Sequence, residues 1–157
     1  MNLRLRRTAF AFAAVAAMAA LPARAAEPDA PGGSGRQAFL GLWEGVDPLD
    51  GSLVYLSITD LERDGVLELV DTESFFTFCS RLGKDYSQGR GIITGRGRVV
   101  GSVLKAQTRF TCIKDNGVPG KTQVGPFDYP LKGGGRILVI PGVDAETPDV
   151  LLHRIAR

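Results

Sequence analysis

From residue 38 onward the sequence changes face at every second residue and is cut by turn residues at short intervals, with no stretch repeating at the helical period. A chain with that pattern is committed to many short strands. The clearest pair is 91–100 and 104–112. In the first, Gly91, Ile93, Gly95, Gly97 and Val99 share one parity, and Arg96 and Arg98 take the other. In the second, Leu104, Ala106, Phe110 and Cys112 face one side, while Lys105, Gln107, Arg109 and Thr111 face the other, as in a sheet with one wet face. Further strands are expected at 39–45, 53–59, 66–71 and 75–79, around Phe127, Tyr129 and Leu131, at RILVI (136–140) and at the terminal VLLHRI (150–155). Asp50-Gly51, Asp64-Gly65, Gly101-Ser102 and Gly133 to Gly135 supply turns between them. The expected architecture is all-β, a small antiparallel up-and-down barrel of about eight strands.

Within the strands, parity separates core from surface. Trp43, the single tryptophan, shares a face with Phe39, Gly41 and Gly45; Leu67 and Leu69 share one face and Glu68 takes the other. For 53–59 either face reads as inner, the set Val54, Leu56 and Ile58 being the more apolar. Residues 80–88 read as a polar loop and 114–125 as a long turn. The prolines at 126 and 130, with Pro119 nearby, mark the strand around Tyr129 as an edge or irregular one.

The N-terminus reads as an address. Arg4, Arg6 and Arg7 precede an apolar, Ala-rich run and the small-x-small site Ala23-Arg24-Ala25, the pattern of a secretory signal peptide over residues 1–25. Arg6-Arg7 is also a twin-arginine pair, although general secretion is the simpler route. The apolar run is short of the roughly 20 residues a membrane span needs. Residues 26–37, rich in proline and glycine, are expected to be a flexible tail, with the barrel domain over 38–157. Of 19 Lys and Arg, four leave with the leader, so the mature chain sets 15 against 17 Asp and Glu. With a negative mature charge, export, and no interleaved basic and aromatic residues, nucleic acid is not an expected partner. The expected place of the protein is periplasmic or secreted.

Cys79 and Cys112 are the two cysteines, and a chain bound for an oxidising compartment is expected to join them. If both close strands of a plain meander, those strands are second neighbours about 9 to 10 Å apart, beyond the roughly 7 Å that a disulfide spans. Either the sheet curls strongly near Gly95 and Gly97 or the two strands are neighbours. The curled barrel is the expectation, with the glycines making room beside the bridge.

Gly41-Leu42-Trp43 and the terminal Arg154 resemble the first-strand Gly-x-Trp and last-strand arginine of the lipocalin-like (calycin) barrels. The resemblance implies that Arg154 packs over Trp43 where the barrel closes, and that the barrel carries a small apolar or amphipathic ligand. A guanidinium over an indole contributes about 0.5 to 2 kcal/mol. Trp43, Phe110 and Tyr129 are the candidate ligand-contacting residues.

Catalysis has little support. His153 is the single histidine, so a His-based metal cluster is excluded, and it reads as a rim or surface residue. Asp47, Asp50 and Ser52 offer oxygens, but their spacing is not that of an EF-hand loop, and a turn is the better account. No nucleophile or acid–base pair is supported by spacing, and no cofactor or metal is expected. The charges are divided: residues 44–73 hold nine acids and one base, and 81–121 nine bases and two acids, which in a meander would form opposite outer walls. The leading expectation is a non-enzymatic binding module. The alternative is a protein-interaction or protease-inhibitor-like barrel that reaches its partner with residues 26–37.

Overall fold

Eight strands, each hydrogen-bonded to the next in sequence, close into one antiparallel barrel in the computed structural model, which describes residues 35–61, 64–142 and 144–156. They are β1 (Gly41–Val46), β2 (Leu53–Asp60), β3 (Leu67–Glu73), β4 (Gly91–Val100), β5 (Val103–Ile113), β6 (Pro119–Lys132), β7 (Ile137–Ile140) and β8 (Val150–Ala156). The last strand returns to the first, placing Trp43 opposite Arg154. The expected signal peptide, and the expected tail up to residue 34, lie outside the described residues. The tail is shorter than expected at its other end: Arg36–Ala38 forms a 3-10 turn, and Arg36 pairs with Asp60 at 2.6 Å.

The parity assignments hold along the core. Trp43, Val54, Leu56, Ile58, Leu67, Leu69 and Leu104 are all buried, so the more apolar face of β2 is the inner one. Gly95 and Gly97 sit opposite Leu69 and Leu67 across β3–β4. A Cβ on Gly97 would lie 2.4 Å from the Lys105 carbonyl oxygen, and one on Gly95 3.2 Å from Leu69 Cγ. The missing side chains therefore admit two leucines and the close approach of β5. The expectation that they make room beside the disulfide is overturned, because the bridge belongs to a separate cluster with Phe76, at the other end of the barrel.

Residues 75–79 are not a strand. After β3 the chain leaves the sheet and makes one helical turn, α1 (Thr77–Ser80). Phe76 and Cys79, three apart, both turn inward, as a helical turn allows and strand alternation, which would set them on opposite faces, does not. Cys79 on α1 then reaches Cys112 at the end of β5 with Cα atoms 5.5 Å apart, so the expected disulfide is present without any crossing of the barrel interior. Pro119-Gly120 is likewise not a turn. The β5–β6 loop is 114–118, turned by Asn116-Gly117, and β6 runs for 14 residues. Its prolines are accommodated as expected of an irregular strand: β6 pairs with β5 along its length but with β7 only at Leu131 and Lys132.

One end of the barrel is solid. Trp43 donates its indole N–H to the Phe39 carbonyl at 2.9 Å, and the Arg154 guanidinium lies 4.4 Å from the Trp43 ring centre while donating to the Ala38 carbonyl. The 3-10 turn, Phe39 and this stack plug the end formed by the starts of β1, β3, β5 and β7.

Candidate functional site: a half-empty barrel

The other end is hollow, and the inward rows show why. Along β3 the inner face reads Leu67, Leu69, Asp71, Glu73; along β5 it reads Leu104, Ala106, Thr108, Phe110; back along β6 it reads Tyr129, Phe127, Gly125, Gln123. Large aliphatic groups fill the plugged end, and small or polar groups replace them toward the mouth. The space left is a cavity of about 500 Å³, within the roughly 300 to 1,000 Å³ of sites that take small molecules. Phe76, Phe78, Ile93, Phe110, Phe127 and Tyr129 form its apolar walls. The rings are mutually packed: Phe76 and Phe110 have centres 5.1 Å apart, and Phe127 and Tyr129 4.9 Å.

The rim is built from three segments held by their own hydrogen bonds. In the β1–β2 turn, Asp47 accepts from the Leu49 N–H at 2.7 Å, and Asp50 accepts from the Ser52 N–H and from the Thr77 hydroxyl, tying α1 to the turn. Burial pushes the Asp50 carboxyl up, but the Thr77 and Ser52 hydrogen bonds outweigh it and hold the group below its ordinary value. In the 141–149 loop, the Asp144 carboxylate accepts from the Thr147 N–H and hydroxyl, and Asp149 accepts from the Gly142 N–H. Exposed Leu49, Phe78 and Val124 stand at the opening. Along the side, residues 123–126 of β6 face Pro141, Gly142, Thr147 and Pro148 with no ladder pairs between them among the described residues, so the mouth continues into a slit in the wall.

Two acids line the interior. Asp71 and Glu73 share one face of β3, with Cα atoms about 7 Å apart at the strand rise. Asp71 is 1% exposed, lies between Leu56 of β2 and Ile93 of β4, and neither of its oxygens has a hydrogen-bonding partner among the described residues. Burial raises its pKa from 3.8 to about 7. Burial, then the charges of Asp71, Asp47 and Asp50, raise Glu73 to about 8. Burial and the charge of Asp71 also push the Tyr129 hydroxyl up, so it stays protonated. Among the described residues, no lysine, arginine or histidine lines the cavity. Lys121 stands at the rim, 5.5 Å over the Phe78 ring.

Of the residues expected to contact a ligand, Phe110 and Tyr129 line the cavity, and Trp43 lies in the solid end. His153 faces outward on β8, beside Glu44. Asp47, Asp50 and Ser52 form the β1–β2 turn. The acid-rich segment does not form only an outer wall: four of its nine acids, Asp47, Asp50, Asp71 and Glu73, gather at the mouth and within it. Asp71 and Glu73 were not singled out in the sequence. The signal was their parity with Leu67 and Leu69, and it was hidden by ending the strand at residue 71.

The chain matches no protein-family model, no curated protein and no solved structure. The closed eight-stranded antiparallel barrel is compatible with a lipocalin-like fold, and the Trp43–Arg154 stack lies where that resemblance placed it.

Proposed function

We propose that this chain is an exported, non-enzymatic binding module whose cavity holds one small apolar or amphipathic molecule. The observation that carries the reading is the division of the barrel into a packed half and an empty, aromatic-walled half, since a closed barrel of eight strands has enough inward side chains to fill itself or to leave room for one small ligand. The leader-like N-terminus and the Cys79–Cys112 bond support export to an oxidising compartment.

Gly125 provides the test. It faces the cavity opposite Thr108, and a Cβ added there would meet no atom within 4 Å. Gly125→Phe therefore carries a ring toward the cavity from a position whose Cβ meets no wall atom. The native protein should bind an uncharged polarity-sensitive dye such as N-phenyl-1-naphthylamine at one site per chain, and Gly125→Phe should keep the melting point and lose the dye. Undiminished dye binding by Gly125→Phe would show that the interior is not the site.

A further inference from the structure

We propose that the ligand is an organic cation, an apolar body lying among the cavity's aromatic walls with a protonated amine that meets the carboxylates of Asp71 and Glu73. The inference rests on the cavity being the binding site and adds the chemistry of what enters it.

Three independent features point the same way. The first is Asp71 itself. Its side chain is buried, faces the cavity, and has no hydrogen-bond partner on either oxygen among the described residues. A buried polar group is normally satisfied, and the cost of leaving it so falls on folding unless a partner arrives from outside. Above its raised pKa the group is a carboxylate with two acceptor oxygens, so there the missing partner is a donor, and a cationic donor satisfies it most strongly.

The second is the sign of everything around it. The titratable groups facing Asp71 or the cavity are Glu73 on its own strand, Tyr129 on β6 and Asp47 on the β1–β2 turn, with Asp50 beside it at the rim. β2 and β4 present Leu56 and Ile93, and β5 presents Thr108 and Phe110. Among the described residues the lining holds no basic side chain, and Lys121 lies over the Phe78 ring at the rim. The acids form a descending series from the rim through Glu73 to Asp71, which draws a cation inward and repels a fatty acid or other anion. The third feature is the wall. Phe110, Phe127 and Tyr129 offer ring faces, which attract ammonium groups most where water is excluded.

The site is consequently pH-dependent. Below the raised carboxyl pKa values, about 7 for Asp71 and about 8 for Glu73, the acids are neutral and the preference for a cation is lost.

The test compares three ligands with one hydrocarbon body, decylamine, decanol and decanoate, each competing with N-phenyl-1-naphthylamine for the full protein. At pH 8 decylamine should displace the dye at a concentration at least tenfold below decanol, and decanoate should be the weakest. The decylamine-to-decanol ratio should fall toward one at pH 5, a measurement that needs no variant, and also in Asp71→Asn and in the Asp71→Asn, Glu73→Gln double variant. Dye binding with no amine preference, or a preference that persists in the double variant, would overturn the cation while leaving the cavity as the site. Failure of the dye and all three ligands to bind would overturn both.

Discussion

Replacing Asp71 by Asn should stabilise the protein by an amount that grows as pH rises from about 4 to about 7 and is fully present above neutral pH. In the unfolded chain Asp71 titrates at its ordinary 3.8, whereas burial among Leu56, Ile93 and Tyr129 raises it to about 7 in the barrel. Between those values the folded protein keeps a proton that the unfolded chain has lost. Unfolding then releases a proton, so stability falls as pH rises through the window and the full penalty is present above about 7. A displacement from 3.8 to about 7 corresponds to at most about 4 kcal/mol at 1.36 kcal/mol per pH unit. Glu73, displaced in the same direction but only partly buried, extends the window to about pH 8 with a smaller contribution after solvent screening. Other carboxyls do not obscure it. Hydrogen bonds from Gln88 and Ser87 lower Asp115, and those from Thr147 and Glu146 lower Asp144, so the stability they contribute is lost only below the carboxylate range. Urea unfolding of the ligand-free protein at pH 5, 6, 7 and 8 should give falling stability for the native chain. Asp71→Asn should give a flatter curve, already above that of the native chain at pH 5 and higher by about 1 to 4 kcal/mol at pH 8. Parallel curves for the two proteins would refute the argument that Asp71 is buried in an apolar, unpaired setting.

Gly97→Ala should cost about 1 to 3 kcal/mol and Gly95→Ala less, because the new methyl meets backbone at 2.4 Å in the first case and no atom closer than 3.0 Å in the second; equal midpoints in chemical denaturation would contradict that order. Breaking the disulfide with Cys79→Ser and Cys112→Ser should cost about 3 to 4 kcal/mol for a separation of 33 residues, and the native protein, unfolded without reductant, should show no free thiol by titration. Arg154→Ala should lose the stack on Trp43 and the hydrogen bond to Ala38, about 1 to 3 kcal/mol together. Arg154→Lys should recover only part of it, and a change in the near-ultraviolet dichroism of Trp43 should accompany both.

The strand pattern was legible because an inner face is written directly into alternation: Val54, Leu56 and Ile58, or Leu104 and Ala106, can point inward in only one register. The plug was legible as well, since closure brings the first and last strands together and so brings Arg154 onto Trp43. The segment between β3 and β4 was not. Phe76, Phe78 and Cys79 are apolar enough for either a strand or a helical turn, and what decides is the bond to Cys112 and the packing of Phe76 on Phe110, neither of which is local. The cavity was half legible. Phe110 and Tyr129 were expected to contact a ligand, and with Phe127 they wall the cavity, whose space is left by Thr108 and Gly125, paired on β5 and β6 and too small to fill it. Asp71 and Glu73 escaped notice because acids usually end a strand's buried face, and here they continue it.

The placement of the disulfide follows from the same division of the barrel. In the plugged half, cohesion comes from the inward leucines, Phe39, Trp43 and the Arg154 stack, and that half needs no covalent tie. In the open half the interior that would hold the walls together is missing: Thr108, Gly125 and Glu73 stand where large apolar side chains would otherwise meet, and the upper part of β6 lacks a β7 neighbour. Cys79–Cys112 lies at this end and joins α1 to the end of β5, while Asp50 holds α1 to the β1–β2 turn. The rim is thus fixed from outside the cavity, by a covalent bond and a short chain of hydrogen bonds, where packing from inside would fill the space a ligand needs. A rim fixed in this way, together with a buried Asp71 carboxyl that has no hydrogen-bond partner among the described residues, supports the proposal that the open half is a binding site.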